Sequence, residues 1–140
     1  MKKLIALLPL CCFLLWQACS NDNNGASKPL NPNGDSELAL LMRQMFEDGE
    51  RVRVQVQKGE AVSIQVDFDK IMTAKSTDPS KMQGPEFPHF AASYVEAMKA
   101  LRDAPPAEAQ DKYSAMVATC MNCHEQSCPG PMVRIKKLVL

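Results

Sequence analysis

The chain has 140 residues, with 16 basic and 16 acidic side chains and no formal net charge. Taking Lys2 and Lys3 away with a leading export segment leaves 14 basic residues against 16 acidic, about −2, which argues against nucleic acid as a partner. About a hundred residues come after the leader and a polar stretch, enough for one domain with a modest core.

Lys2 and Lys3 precede an apolar run from Leu4 to Trp16. The run is too short for a membrane span and suits the core of a signal peptide. It ends in Leu15-Trp16-Gln17-Ala18-Cys19-Ser20, where a small residue stands directly before a cysteine, as at a bacterial lipoprotein cleavage site. Trp16 departs from the aliphatic residue usual at that place, and no A-x-A site is evident. The expectation is a lipoprotein-type signal over 1–18 and a lipid on Cys19, with an uncleaved anchor as the alternative. Either puts the rest of the chain outside the cytoplasm, in the periplasm or an equivalent space, tethered to a membrane. Residues 19–35, rich in Asn, Gly, Ser and Pro, read as a flexible tether. Residues 36–140 form the domain.

Ser36-Glu37 opens a helix with Asp35 or Ser36 as N-cap. Leu38, Met42, Met45, Gly49, Val52 and Val56 make one stripe at spacings of four and three, ending near Lys58-Gly59. A hairpin over 51–66 competes, because 51–56 and 62–68 alternate strictly around Lys58-Gly59-Glu60. Locally the hairpin reads better; the helix is preferred since the stripe runs through without a phase break and because the resemblance given below implies it. Asp67 to about Lys75 reads as a short helix, capped by Asp67, with Phe68, Ile71 and Met72 inward. A polar loop, 76–85, leads to a third helix from about Phe87 to Asp103, whose apolar face is Phe87, Phe90, Ala91, Tyr94, Met98 and Leu101. Ala104-Pro105-Pro106 starts the fourth, lined by Ala109, Tyr113, Met116, Val117, Cys120 and His124. Cys128-Pro129-Gly130-Pro131 ends it, and a tail from Met132 to Leu140 mixes apolar residues with Arg134, Lys136 and Lys137. The expected fold is all-α, an antiparallel four-helix bundle, in which Met42 and Met45 pass close to the end of the last helix.

That end carries Cys120-Met121-Asn122-Cys123-His124, a C-x-x-C-H pattern of covalent c-type haem attachment. Positions three and four apart share a helix face, so two thiols and an imidazole can meet one porphyrin. The thiols of Cys120 and Cys123 would form thioethers with the haem vinyl groups, and His124 would ligate the iron. Three other readings stand beside it. One is structural zinc on Cys120, Cys123, His124 and Cys128, although adjacent residues such as Cys123 and His124 rarely reach one tetrahedral ion together. Another is a redox C-x-x-C, which expects a strand leading into the motif. The last is coincidence. With Cys11 and Cys12 in the signal, Cys19 lipidated and two thiols on haem, Cys128 is left over, and no disulfide framework is expected.

With a helical bundle and the motif near the end of its last helix, the chain resembles the cytochrome c-prime superfamily over roughly Ser36 to Gln126. It is also similar to small secreted monohaem cytochromes with a tail such as Cys128-Pro129-Gly130-Pro131 followed by Arg134-Ile135-Lys136-Lys137-Leu138. The resemblance implies one covalent haem c on Cys120 and Cys123, with His124 as axial ligand. Members with an apolar residue of the first helix over the iron bind small gases on a five-coordinate site. Low-spin relatives carry a methionine there and transfer electrons. Met42 is the first candidate for a sixth ligand and Met45 the second, against the plain role of core methionines.

The remaining residues are read blandly. His89 is a solvated helix-start histidine before it is a distal ligand. Cys128 is a buried thiol, and Tyr94 and Tyr113 are core aromatics. Arg134, Lys136 and Lys137 are a solvated tail or a contact for propionates or an acidic partner. No nucleophile–base pair, phosphate loop or paired carboxylates stand out, so an enzyme is not expected. The expected function is a monohaem cytochrome passing single electrons between redox partner proteins, with a gas-binding protein for nitric oxide or carbon monoxide as the alternative and a zinc-stabilised lipoprotein third. The resemblance leaves a homodimer open.

Overall fold

In the computed structural model of the chain, the described residues are Asn31 and 34–140; the expected signal, Cys19 and most of the tether lie outside them. The described residues are helical, with no strand among them. Three long helices, α1 (Glu37–Lys58), α2 (Glu86–Arg102) and α3 (Ala109–Ser127), are followed by the four-residue α4 (Met132–Ile135). Short 3-10 stretches occupy Phe68–Met72, Pro79–Met82 and Lys136–Leu138. No helix among the described residues is long and apolar enough to cross a membrane.

Ser36 caps α1, its hydroxyl oxygen accepting the Ala39 N–H at 3.3 Å. Gly59 ends the helix at φ +68°, a left-handed conformation in which a side chain would be strained. Between these signals the alternating run 51–56 stays helical. Val52 and Val56, four apart, are buried, while Val54 is 43% exposed. The hairpin does not form.

Residues 60–67 are extended, and they run back down α1 bonded to its side chains rather than to a strand. The Ser63 N–H donates to Gln55 Oε1 at 3.1 Å, and the Gln65 and Val66 N–H groups donate to Asp48 Oδ2 at 3.1 and 3.4 Å. The Arg51 guanidinium pairs with Asp48 and reaches the Ser63 carbonyl. Lower down, Leu38 N–H donates to Lys75 O and Lys75 N–H to Glu37 Oε2, both at 3.0 Å. The period of two in Val62-Ser63-Ile64-Gln65-Val66 suits this extended path: Val62, Ile64 and Val66 pack against the core, while Ser63 and Gln65 are exposed. The short helix expected over 67–75 is instead a 3-10 turn. Phe68 and Ile71, three apart, are buried, as three residues per turn requires. Asp67 makes no cap bond, and Met72, expected inward, is 49% exposed.

Residues 103–108 join α2 and α3 as an antiparallel pair, the most extensive helix packing in the described chain. Pro105 and Pro106 lie in the turn before α3 rather than in its first turn, and Glu108 N–H donates to Pro105 O at 2.9 Å. Tyr94, Val95, Met98 and Leu101 of α2 bury against Ala109, Tyr113, Met116 and Val117 of α3. The tail then folds back along α3. The Tyr113 hydroxyl donates to Leu138 O at 2.8 Å, with Gly49 O 3.2 Å away as a second acceptor. Arg134 lies over the Phe46 ring at 4.8 Å, and Arg53 donates to Lys137 O at 2.9 Å. From Arg134 to Leu138 the tail therefore climbs beside α1 in the same direction, and α1 is antiparallel to α3.

The order is up, down, up, down: α1, the chain over 60–82, α2, α3. The first descending element, the chain over 60–82, is not the expected α-helix. Asp48 is the buried carboxylate that holds it, so Asp48→Ala is expected to destabilise the fold by about 2–3 kcal/mol through loss of the Arg51 pair and two backbone donors. Urea unfolding followed by circular dichroism measures this; a change under about 0.5 kcal/mol would show that the extended segment holds itself.

Candidate functional site

The last two turns of α3 carry Cys120, Cys123 and His124 on one side, because Tyr113, Met116 and Val117 fix the phase of the helix in the core one and two turns earlier. Cys120 points inward. Its Sγ lies 3.8 Å from Met116 Sδ, and burial, with Cys123 alongside, pushes the thiol up to about 12. Tyr94 is close enough that Cys120, after burial, helps raise its hydroxyl well above the usual range. Cys123 is half-buried and also raised by burial, against a hydrogen bond from Ser127 that lowers it. Cys120, Cys123 and Cys128 form no disulfide.

His124 is half-buried, with Nδ1 3.0 Å from the carbonyl oxygen of Cys128. A carbonyl only accepts, so Nδ1 is the protonated nitrogen in this contact, and in the neutral ring the lone pair is on Nε2. Pro129 explains the geometry. It disfavours helical backbone at the residue before it, and Cys128 has φ −158° and ψ 75°. The helix stops there, the Cys128 N–H still donates to His124 O at 3.0 Å, and its carbonyl turns to the imidazole. In the sequence this segment reads only as a stop. The signal for its second role is a proline placed so that its predecessor sits one turn beyond the histidine.

Among the described residues no three His, Cys, Asp or Glu side chains converge as one metal ion would require. The zinc reading of Cys120, Cys123, His124 and Cys128 thus lacks geometric support. The motif ends a long helix and has no strand before it, which removes the usual context of a redox C-x-x-C.

Tyr113 meets Gly49, so the antiparallel helices can be compared in level. Met42 lies seven residues before Gly49, and Cys120 seven after Tyr113. Met42 therefore lies toward the end of α3 that carries Cys120 and His124. Met45 lies about one turn further away and is buried in the core. Of the two, only Met42 is half-buried toward the motif end. His89, in the first turn of α2, is exposed. Arg134 covers Phe46, and Lys136 and Lys137 are exposed.

Half-covered apolar side chains border the core beside α1, at Val62, Ile64 and Val66, and also at the motif end. Met42, Ala74, Met82, Phe87, Cys120 and Met121 border the core without being enclosed. Ile71, Met82 and Phe87 line a hollow of about 190 Å³ between the 3-10 turn at Phe68–Met72 and the start of α2. No family model, no curated protein and no solved structure matches the chain.

The burial of Cys120 should show in two ways. Cys120 is expected to alkylate at least tenfold more slowly than Cys123 at pH 8, because its thiolate is the more strongly suppressed; peptide mass spectrometry reads both, and equal rates would contradict the burial described. The folded thiol lies above its ordinary value of 9.0, so the stability from burying it neutral is complete below about pH 9 and is lost as pH rises toward 12. The urea midpoint should therefore fall over that window.

Proposed function

We propose that the chain is a monohaem c-type cytochrome that carries single electrons outside the cytoplasm, held to a membrane by a lipid on Cys19. Haem c would be joined through Cys120 and Cys123 and ligated by His124. The observation that carries this reading is the imidazole: its Nδ1 proton is bound to Cys128 O, which leaves the Nε2 lone pair available beside two thiols on the same helix face. Metal-ligating histidines are held in this way, by an acceptor on the other ring nitrogen. The half-covered apolar side chains at the same end support the reading independently, since a porphyrin would shield them from water.

The fold proposed for the loaded protein is a four-element antiparallel bundle in which the descending chain over 60–82 stands in place of a second helix. When bound, the haem supplies a one-electron iron couple. The protein's part is to hold and shield it. Cys128 O orients His124, and the Met42 thioether is the candidate for the sixth position, with Met45 second because it is buried further down the core. A thioether there would raise the potential, whereas an open position would make the chain a binder of nitric oxide or carbon monoxide. The exposed Lys136 and Lys137 suit an acidic redox partner.

An optical spectrum of the full chain matured with haem c, with and without carbon monoxide, tests the proposal. Low-spin reduced bands that ignore carbon monoxide, and that are lost in Met42→Ala, are expected. Low-spin bands unchanged in Met42→Ala would remove Met42 as ligand. A high-spin spectrum that shifts with carbon monoxide would replace electron transfer by gas binding, and a chain that takes up no haem would overturn the reading.

A further inference from the structure

We infer that the C-terminal tail, residues 132–140, is a positioning clamp for His124, with Leu138 as its lock. The inference rests on His124 as the iron ligand for its purpose, but its geometry needs no haem. The carbonyl on His124 Nδ1 belongs to Cys128, the residue that leads from α3 into the tail. Between Cys128 and α4 stand only Pro129, Gly130 and Pro131. Prolines fix φ at about −65°, so this link has little slack. It is also bonded internally: Met132 N–H donates to Pro129 O at 3.0 Å, and the Arg134 and Ile135 N–H groups to Pro131 O at 2.8 and 3.1 Å. Where α4 sits therefore decides where the Cys128 carbonyl points.

The position of α4 is fixed in turn by contacts beyond it. Ile135 is buried, Arg134 lies over Phe46, and Arg53 holds Lys137 O. Leu138 is 3% exposed, and its carbonyl accepts from Tyr113. Its side chain seats on Gly49, where a Cβ would come within 3.3 Å of Leu138 Cδ1. A side chain at 49 would push the Leu138 side chain aside by a few tenths of an ångström. An Nδ1–H···O bond raises the basicity of a ligating imidazole and fixes its ring orientation. Leu138 and Gly49 are thus positioning residues that act on His124 through the Cys128 carbonyl.

The test uses the full chain labelled with ¹⁵N-histidine. There are two histidines, and the exposed His89 is the internal reference. The readout is solvent exchange of the His124 Nδ1–H, which can be measured with or without haem. Leu138→Ala is expected to speed that exchange about tenfold, the worth of one hydrogen bond, and Gly49→Ala to act in the same direction. Leu138→Met, of similar volume, should restore the slow exchange. In haem-loaded protein, Leu138→Ala should also move the midpoint potential to more positive values, a shift that mere loss of stability would not produce. If Leu138→Ala does not fold, Gly49→Ala decides. Exchange and potential unchanged in the folded variants would overturn the inference and assign the carbonyl's position to the proline turn alone. Exchange that responds as described in a chain that takes up no haem would remove the proposed function and leave the clamp standing.

Discussion

The architecture depends on one buried hydroxyl. Tyr113 has no exposure, and its O–H meets the carbonyls of Leu138 and Gly49, residues 25 and 64 positions away in sequence. Apolar packing between helices is non-directional and leaves their sliding weakly specified. A hydrogen bond in a dry interior specifies it, because leaving the group unpaired costs about 1–3 kcal/mol. The level of Met42 against Cys120 is set by that register. So is the place where the tail returns, and with it the turn that faces His124.

Half-covered side chains border the helical core at both ends, but those at the motif end are rich in methionine. At the end nearer the α2–α3 turn, Val52, Leu101 and Tyr113 are fully enclosed. At the other end, methionines, an alanine, a phenylalanine and the first motif cysteine share a partial cover. Methionine adapts to irregular neighbours better than branched side chains do. A protein that completes its own packing everywhere has no need of such an end. The proposed prosthetic group would finish what the chain leaves incomplete, and the polar part of the site, His124 with its carbonyl, is already in order without it.

Much of this is legible in the sequence, and the exceptions have physical causes. The three long helices arise from four-and-three spacing and from Ser36 and Gly59, which are local signals. The run 51–56 is ambiguous because alternation and helical spacing share Val52 and Val56; continuity with the stripe upstream resolves it. The chain over 60–67 differs in kind from either expectation. Its alternation belongs to an extended segment, but one whose partner is a row of helix side chains, Asp48, Arg51 and Gln55, and no local pattern announces such a partner. The motif residues are readable from spacing alone. The Cys128 carbonyl is not, since a backbone acceptor has no letter of its own.

The place of residues 132–140 after α2 and α3 has a consequence in time. A chain is made from its N-terminus, so these residues follow the α2–α3 pair. Until Leu138 emerges, the notch at Gly49 is empty and Tyr113 lacks its nearer acceptor. The α2–α3 pair needs only neighbouring sequence, so it can form early, with Cys120, Cys123 and His124 at its still unfastened end. Closure by residues 132–140 then comes after every cysteine of the motif has been presented. The order of synthesis gives the motif an interval of fuller accessibility, before the tail closes on Tyr113 and Gly49.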